Sequence, residues 1–177
     1  DFGIPQVRFT NEQVRSVWTD YKLSPSPAAT DGEWCRRVFL DIIGRIPSVD
    51  EANAFINDKD ANKKLKLVNS LLNDDKYIEE YARNWTTNWT NILIGRAGGT
   101  EDNTLTSREG MQKYLRDSFA RNKPYDTMVT ELVTATGTNS PGAPNFNGAV
   151  NFLTMKLEED GAQATAQTAR IFLGKQV

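Results

Sequence analysis

Between Arg36 and Glu51 the chain reads RRVFLDIIGRIPSVDE, and few folds accommodate residues in that order. Val38, Phe39, Ile42 and Ile43 recur at three- and four-residue spacing, which makes one face of a helix apolar. Gly44 follows, the residue type that most readily takes the left-handed conformation that ends a helix. Pro47 then lacks the backbone donor that a continuing helix needs. Ser48 and Glu51 form an S-x-x-E capping box, which satisfies free N–H groups at the next helix start. The segment therefore encodes a helix, a stop and a second helix. It constrains architecture and says little about chemistry.

The same punctuation runs through the rest of the chain. Thr10 and Gln13 read as a capping box for a helix over 11–22, with Val14, Val17, Trp18 and Tyr21 as its apolar stripe. Ser24-Pro25-Ser26-Pro27 reads as an extended linker. Thr30 and Glu33 box the helix that ends at Ile43. Asp60 is the expected cap of a helix carrying Leu65, Val68, Leu71 and Leu72. Asp74 is the expected cap of a long helix ending at Ile94 before Gly95. Its stripe of Tyr77, Ile78, Tyr81, Ala82, Trp85, Trp89, Ile92 and Leu93 keeps helical spacing throughout. Ser107 caps a helix with Met111, Tyr114, Leu115 and Phe119, and Pro124 precedes another with Met128, Val129, Leu132 and Val133. Gly137 to Phe146, rich in Gly, Pro, Asn and Ser, is the expected mobile loop. Asn147 to Leu157 is ambiguous, and a last helix spans Ala162 to Leu173. No alternating strand pattern persists. The predicted class is mainly α, a single globular domain of about eight helices with long loops. Residues 1–29 form an N-terminal helix and Pro/Ser linker, and residues 30–177 the helical domain itself.

Composition narrows the chemistry. Histidine is absent and Cys35 is the single cysteine, so Ser-His and Cys-His nucleophile pairs, His-containing metal sites and Cys-rich clusters have no ligands to draw on. Net charge is -2, without the basic excess of a nucleic-acid binder. No apolar run reaches the roughly 20 residues that span a bilayer. The start, DFGIPQVRF, shows no basic segment followed by an apolar one. A first residue of Asp rather than Met fits a chain whose leader has been removed.

The residues that could carry interaction fall into a few sets, and catalytic, cofactor-binding and metal assignments are none. Arg36, Arg37, Asp41 and Arg45 place one acid within a turn of three bases, with Arg37–Asp41 and Asp41–Arg45 as i,i+4 pairs. They are read as a structural ion-pair cluster, the alternative being partner or anion binding by an unpaired arginine. Trp85 and Trp89 share a helix face and read as core, the alternative being a sugar platform. Asn84 and Asn88 match the N-x-T acceptor pattern but fall inside a helix. The acidic runs Glu101-Asp102 and Glu158-Glu159-Asp160 lack calcium-loop spacing and read as solvated helix starts. Cys35 reads as a buried thiol, and Met111, Met128 and Met155 as core fillers.

Four ordered blocks carry a family resemblance: RRVFLDIIGRIPSVDEANAFI, LVNSLLNDDKYIEEYARNWTTNWTNILIGR, NKPYDTMVTELV and TARIFLG. Together they span about Trp34 to Gly174, and the chain resembles the DUF1549 family, also called planctomycete surface cytochrome domain type 2. The resemblance implies a bacterial, extracytoplasmic protein linked to c-type cytochrome modules. In relatives a C-x-x-C-H haem segment follows the R-x-F-L-G block, so this chain is expected to be truncated before it, with haem c in the segment beyond and no cofactor within. Relatives also carry an acid shortly after the first Trp of the long helix. Thr86 and Thr87 stand there in this sequence, so a role resting on that acid does not carry over.

The leading expectation is a non-catalytic helical module that packs on a haem-bearing or partner domain of the same assembly, supporting electron transfer or surface assembly. A polysaccharide-binding or hydrolysing surface protein is the first alternative, using aromatics with acids of the Gly98–Asp102 or Gly137–Phe146 loops. An oligomerising structural protein of the cell surface is the second.

Overall fold

The computed structural model describes residues 3–101, 104–157 and 161–176. Among them the chain forms nine α-helices and no strand: α1 (Pro5–Asp20), α2 (Asp31–Ile43), α3 (Val49–Asn57), α4 (Lys63–Asn73), α5 (Asp75–Ile94), α6 (Arg108–Ala120), α7 (Tyr125–Thr134), α8 (Val150–Leu157) and α9 (Gly161–Leu173). The mainly α class predicted from periodicity is the class observed.

Local chemistry explains most helix ends. Thr30 and Ser48 each accept from the N3 backbone, and Glu33 and Glu51 reach back to the cap N–H, so both capping boxes form. Gly44 ends α2 at φ 74°, the left-handed value its position demands. Ser107 Oγ accepts from Gly110 N at 3.0 Å and starts α6.

Three expected starts are corrected. Thr10 does not cap α1. The helix begins at Pro5, whose fixed φ suits the first turn, and Thr10 Oγ1 instead bonds back to Gln6 O inside it. Asp60 lies ahead of α4 and accepts from Asn62 N at 2.7 Å, shaping the turn that leads in. Asp74 is the N-cap residue of α5, but its carboxylate takes the hydroxyl of Ser70 rather than a backbone donor.

Two apolar clusters fill the interior. The first joins Cys35, Phe39 and Ile43 of α2 to Phe55, Leu71 and Tyr77. The second joins Leu93 and Ile94 to Met111, Leu115, Met128, Leu132, Ala149 and Phe152. Among the described residues only α5 supplies both, with Tyr77 near its start and Leu93 near its end. At 1.5 Å per residue its 20 residues span about 30 Å, enough to reach across the domain. Between those ends the buried line is Ala82, Thr86 and Thr90, and Trp85 and Trp89 flank it half-buried. The tryptophans therefore edge the core rather than fill it.

The 137–147 segment, expected as a mobile loop, is hydrogen-bonded at both ends. Thr138 N donates to Asn145 O at 3.0 Å and Asn147 N to Thr138 O at 2.8 Å. Asn151, fully buried, receives Ser107 N at 2.6 Å and donates to Asn139 O at 3.0 Å and Gly148 O at 2.9 Å. One side chain thus ties the loop to the start of α6 and to α8. A Cβ on Gly110 would strike Asn139 O, so glycine is required where loop and helix touch.

α1 stands apart. None of its residues is buried, and Phe9, Val14 and Val17 are exposed. Residues 23–29 after it carry no helix and are exposed throughout.

Candidate functional site

The segment from Arg36 to Glu51 builds a dense polar constellation, but not the cluster its sequence suggests. Arg37 pairs with Asp41 at 3.5 Å, and both side chains are largely solvated. Arg36 is exposed beside them. Arg45 does not join Asp41, because the chain turns at Gly44 and carries Arg45 off the α2 axis. The expected Asp41–Arg45 pair is replaced by a three-helix node.

In that node Arg45 Nε donates to Glu80 Oε1 of α5 at 2.8 Å. Its Nη1 and Nη2 donate to the two oxygens of Glu51 in α3 at 2.7 and 2.9 Å, a bidentate fork. The guanidinium lies 5.3 Å from the Phe39 ring centre and 5.9 Å from that of Tyr77. Tyr77 Oη donates to Glu51 Oε1 at 2.9 Å, and Ser48 N to Glu51 Oε2 at 2.8 Å. Glu51 is thus at once a helix cap, an ion-pair partner and an acceptor from α5. The Arg45 fork, with help from Ser48 N and Tyr77, holds its carboxyl at about 2 against the burial that opposes it. Arg45 is correspondingly pushed further up by Glu51 and Glu80.

The tryptophan helix closes the same corner from the other side. Trp85 Nε1 and Asn84 Nδ2 donate to Ile42 O at 3.1 and 3.3 Å, satisfying a carbonyl that the end of α2 leaves free. Asn84 also occupies the space where a Cβ at position 44 would stand. Gly44 is therefore needed for its conformation and for the close approach of α5. Trp89 sits further along, 5.9 Å from the Tyr125 ring and 6.5 Å from Phe119. So Arg45 and Trp85 meet at one corner, while Arg36, Arg37 and Asp41 face solvent.

The helices and turn that meet at that corner carry exposed apolar side chains: Leu40 on α2, Ile46 in the turn, and Val49 and Ile56 on α3. Arg36 and Arg37 are exposed on α2, one turn before Leu40. Sequence reading missed these side chains because Leu40 lies off the apolar stripe of α2 and Ile46 lies in the turn that follows it. It missed the role of Glu51 beyond capping, because Glu80 and Tyr77 are distant in sequence. Asn151 carried no signal at all.

The other candidates resolve simply. Cys35 is fully buried, and burial followed by the Glu51 charge pushes its thiol up. Met111 and Met128 are core, and Met155 packs against it. Asn84 and Asn88 lie within α5. Glu101 is exposed, and Asp102 and the Glu158–Asp160 run lie outside the described residues. No group of three or more Cys, Asp or Glu side chains among the described residues is placed to hold a metal ion. No helix among them is long and apolar enough to cross a membrane.

A family model matches residues 10–177, and its description is PSCyt2, protein of unknown function (DUF1549). The match reaches back into α1, ahead of the four sequence blocks. Searches of curated proteins and of solved structures return no match.

Proposed function

The chain belongs to the DUF1549 family, and from that premise we propose that it is a non-catalytic helical module of an extracytoplasmic, cytochrome c-linked bacterial protein. It packs on a haem-bearing or partner domain through the exposed apolar side chains around the α2–α3 turn. The observation that carries this reading is the exposed apolar set Leu40, Ile46, Val49 and Ile56. Leu40 shares α2 with the exposed Arg36 and Arg37, and the α2–α3 turn is braced by the Arg45–Glu51–Glu80 node. An apolar patch with a charged rim on a braced scaffold is the usual form of a docking surface.

The test is isolation of the native protein, followed by intact mass and a haem absorption spectrum. The reading expects a haem-bearing polypeptide in the same assembly, released by Ile46→Asp and Val49→Asp with the fold unchanged. Recovery of a haem-free species without a partner would overturn it.

One observation favours a second reading, glycan binding. A groove of about 340 Å³ sets the rings of Tyr81 and Phe119 beside Asn73, Arg121 and Asn122. Aromatic faces with planar polar groups suit sugar rings. A glycan array probed with the protein and with Phe119→Ala distinguishes the two.

A further inference from the structure

We propose that the groove between α5 and α6 binds a small zwitterion, a ligand of the amino-acid or dipeptide class carrying both a carboxylate and an ammonium group. The groove has a volume of about 390 Å³ and lies within the usual range for small-molecule clefts. Arg83 and Thr86 line it from α5, and Glu109, Gln112, Lys113 and Arg116 from α6.

The charges of the groove are matched except for one of each sign. Arg116 pairs with Glu79, and Lys113 with Asp117 at 3.5 Å. Arg83 and Glu109 form no ion pair with any described residue, nor with each other. One cation on α5 and one anion on α6 are therefore left facing the same space. A simple anion would leave Glu109 opposing it, and a simple cation would face Arg83. A neutral sugar would find no aromatic face, since none lines the groove. A ligand bearing both charges meets both.

The floor supplies an independent observation. Thr86 is only 7% exposed, and its hydroxyl has no hydrogen-bond partner among the described residues. Its neighbours on the same helix behave differently: Thr87 Oγ1 donates to Arg83 O at 3.1 Å and Thr90 Oγ1 to Thr86 O at 2.7 Å. A buried hydroxyl left unpaired is costly and rare in native proteins. Threonine in a helix has two accessible χ1 wells, so its hydroxyl can turn to a ligand seated above it. It both donates and accepts, which suits either end of a zwitterion. Gln112, half-buried in the opposite wall, adds an amide with no side-chain partner among the described residues.

The reading is independent of the proposed docking function and fails separately from it. The experiment is an NMR titration of the intact chain with glycylglycine, using N-acetylglycine and glycinamide as probes bearing one charge each. Glycylglycine is expected to shift the amides of Thr86, Thr87 and Gln112 and to bind about two- to fivefold tighter than either control, as loss of one exposed charge contact implies. Arg83→Gln and Glu109→Gln should each weaken it by a similar factor without moving the melting temperature, because both side chains are exposed. Equal binding of N-acetylglycine, unchanged affinity in Arg83→Gln, or no shift with glycylglycine would each overturn the proposal.

Discussion

Arg45 and Glu51 show how far a single pair can reach when it sits where three helices converge. Glu51 titrates near 4.5 in an unfolded chain and at about 2 in the fold, held down first by Arg45. A carboxyl depressed in this way stabilises the protein fully above its unfolded pKa, and the contribution disappears as pH falls through the folded one. Chemical melts should therefore show on the order of 2 kcal/mol of stability lost between about pH 4.5 and pH 2. In Glu51→Gln that acid-dependent step should be absent, and a melt series over the window checks it. Asn151 is the opposite case for legibility. An asparagine among Val150 and Phe152 looks like a loop residue straying into a helix, yet it is fully buried and makes three bonds. Its partners lie at Ser107, Asn139 and Gly148, and such long-range bonding leaves no local pattern. Asn151→Ala should cost about 3 kcal/mol, since Ser107 N and Asn139 O lose their partner in the interior. Hydrogen exchange should then accelerate across residues 137–147.

Helices were legible where two local signals agreed. At Thr30 and Ser48 the cap, the reciprocal glutamate and the apolar face all point the same way, and both boxes form. At Thr10 a box pattern existed, but Pro5 offered a preorganised first turn five residues earlier and prevailed. The difference is measurable. Thr30→Ala should lower stability by about 1 kcal/mol, whereas Thr10→Ala should leave it within about 0.5 kcal/mol, since its hydroxyl only bonds back along an exposed helix. α5 was legible for a different reason: its stripe is long enough that periodicity needs no cap. Its buried line, however, runs through Thr86 and Thr90, so which side faced inward depended on α6 and could not be read from hydrophobicity alone. At α6 the crossing with the 137–147 segment is set by Gly110. Gly110→Ala places a methyl group against Asn139 O and should cost about 1–3 kcal/mol in a denaturant melt.

The molecule as a whole is two apolar clusters joined by α5 and preceded by a helix that takes no buried share. Because α5 feeds both clusters, they should unfold together, and urea transitions followed by Trp fluorescence and by circular dichroism should coincide. A chain lacking residues 1–29 should melt within about 2 °C of the full one, since α1 has no fully buried residue and only Val7 and Trp18 are partly covered. The break between α1 and α2 falls where Pro25 and Pro27 stand. That the first helix would stay uncovered was not legible in the sequence, because an amphipathic stripe looks the same whether or not something lies against it. The exposed strap of residues 23–29 gives that helix a geometry of its own. An extended Pro-rich strand advances about 3 Å per residue, so the strap lets α1 range on the order of 20 Å from the body. Anything α1 grips would be leashed near the α2–α3 turn at millimolar effective concentration, which makes weak contacts there sufficient.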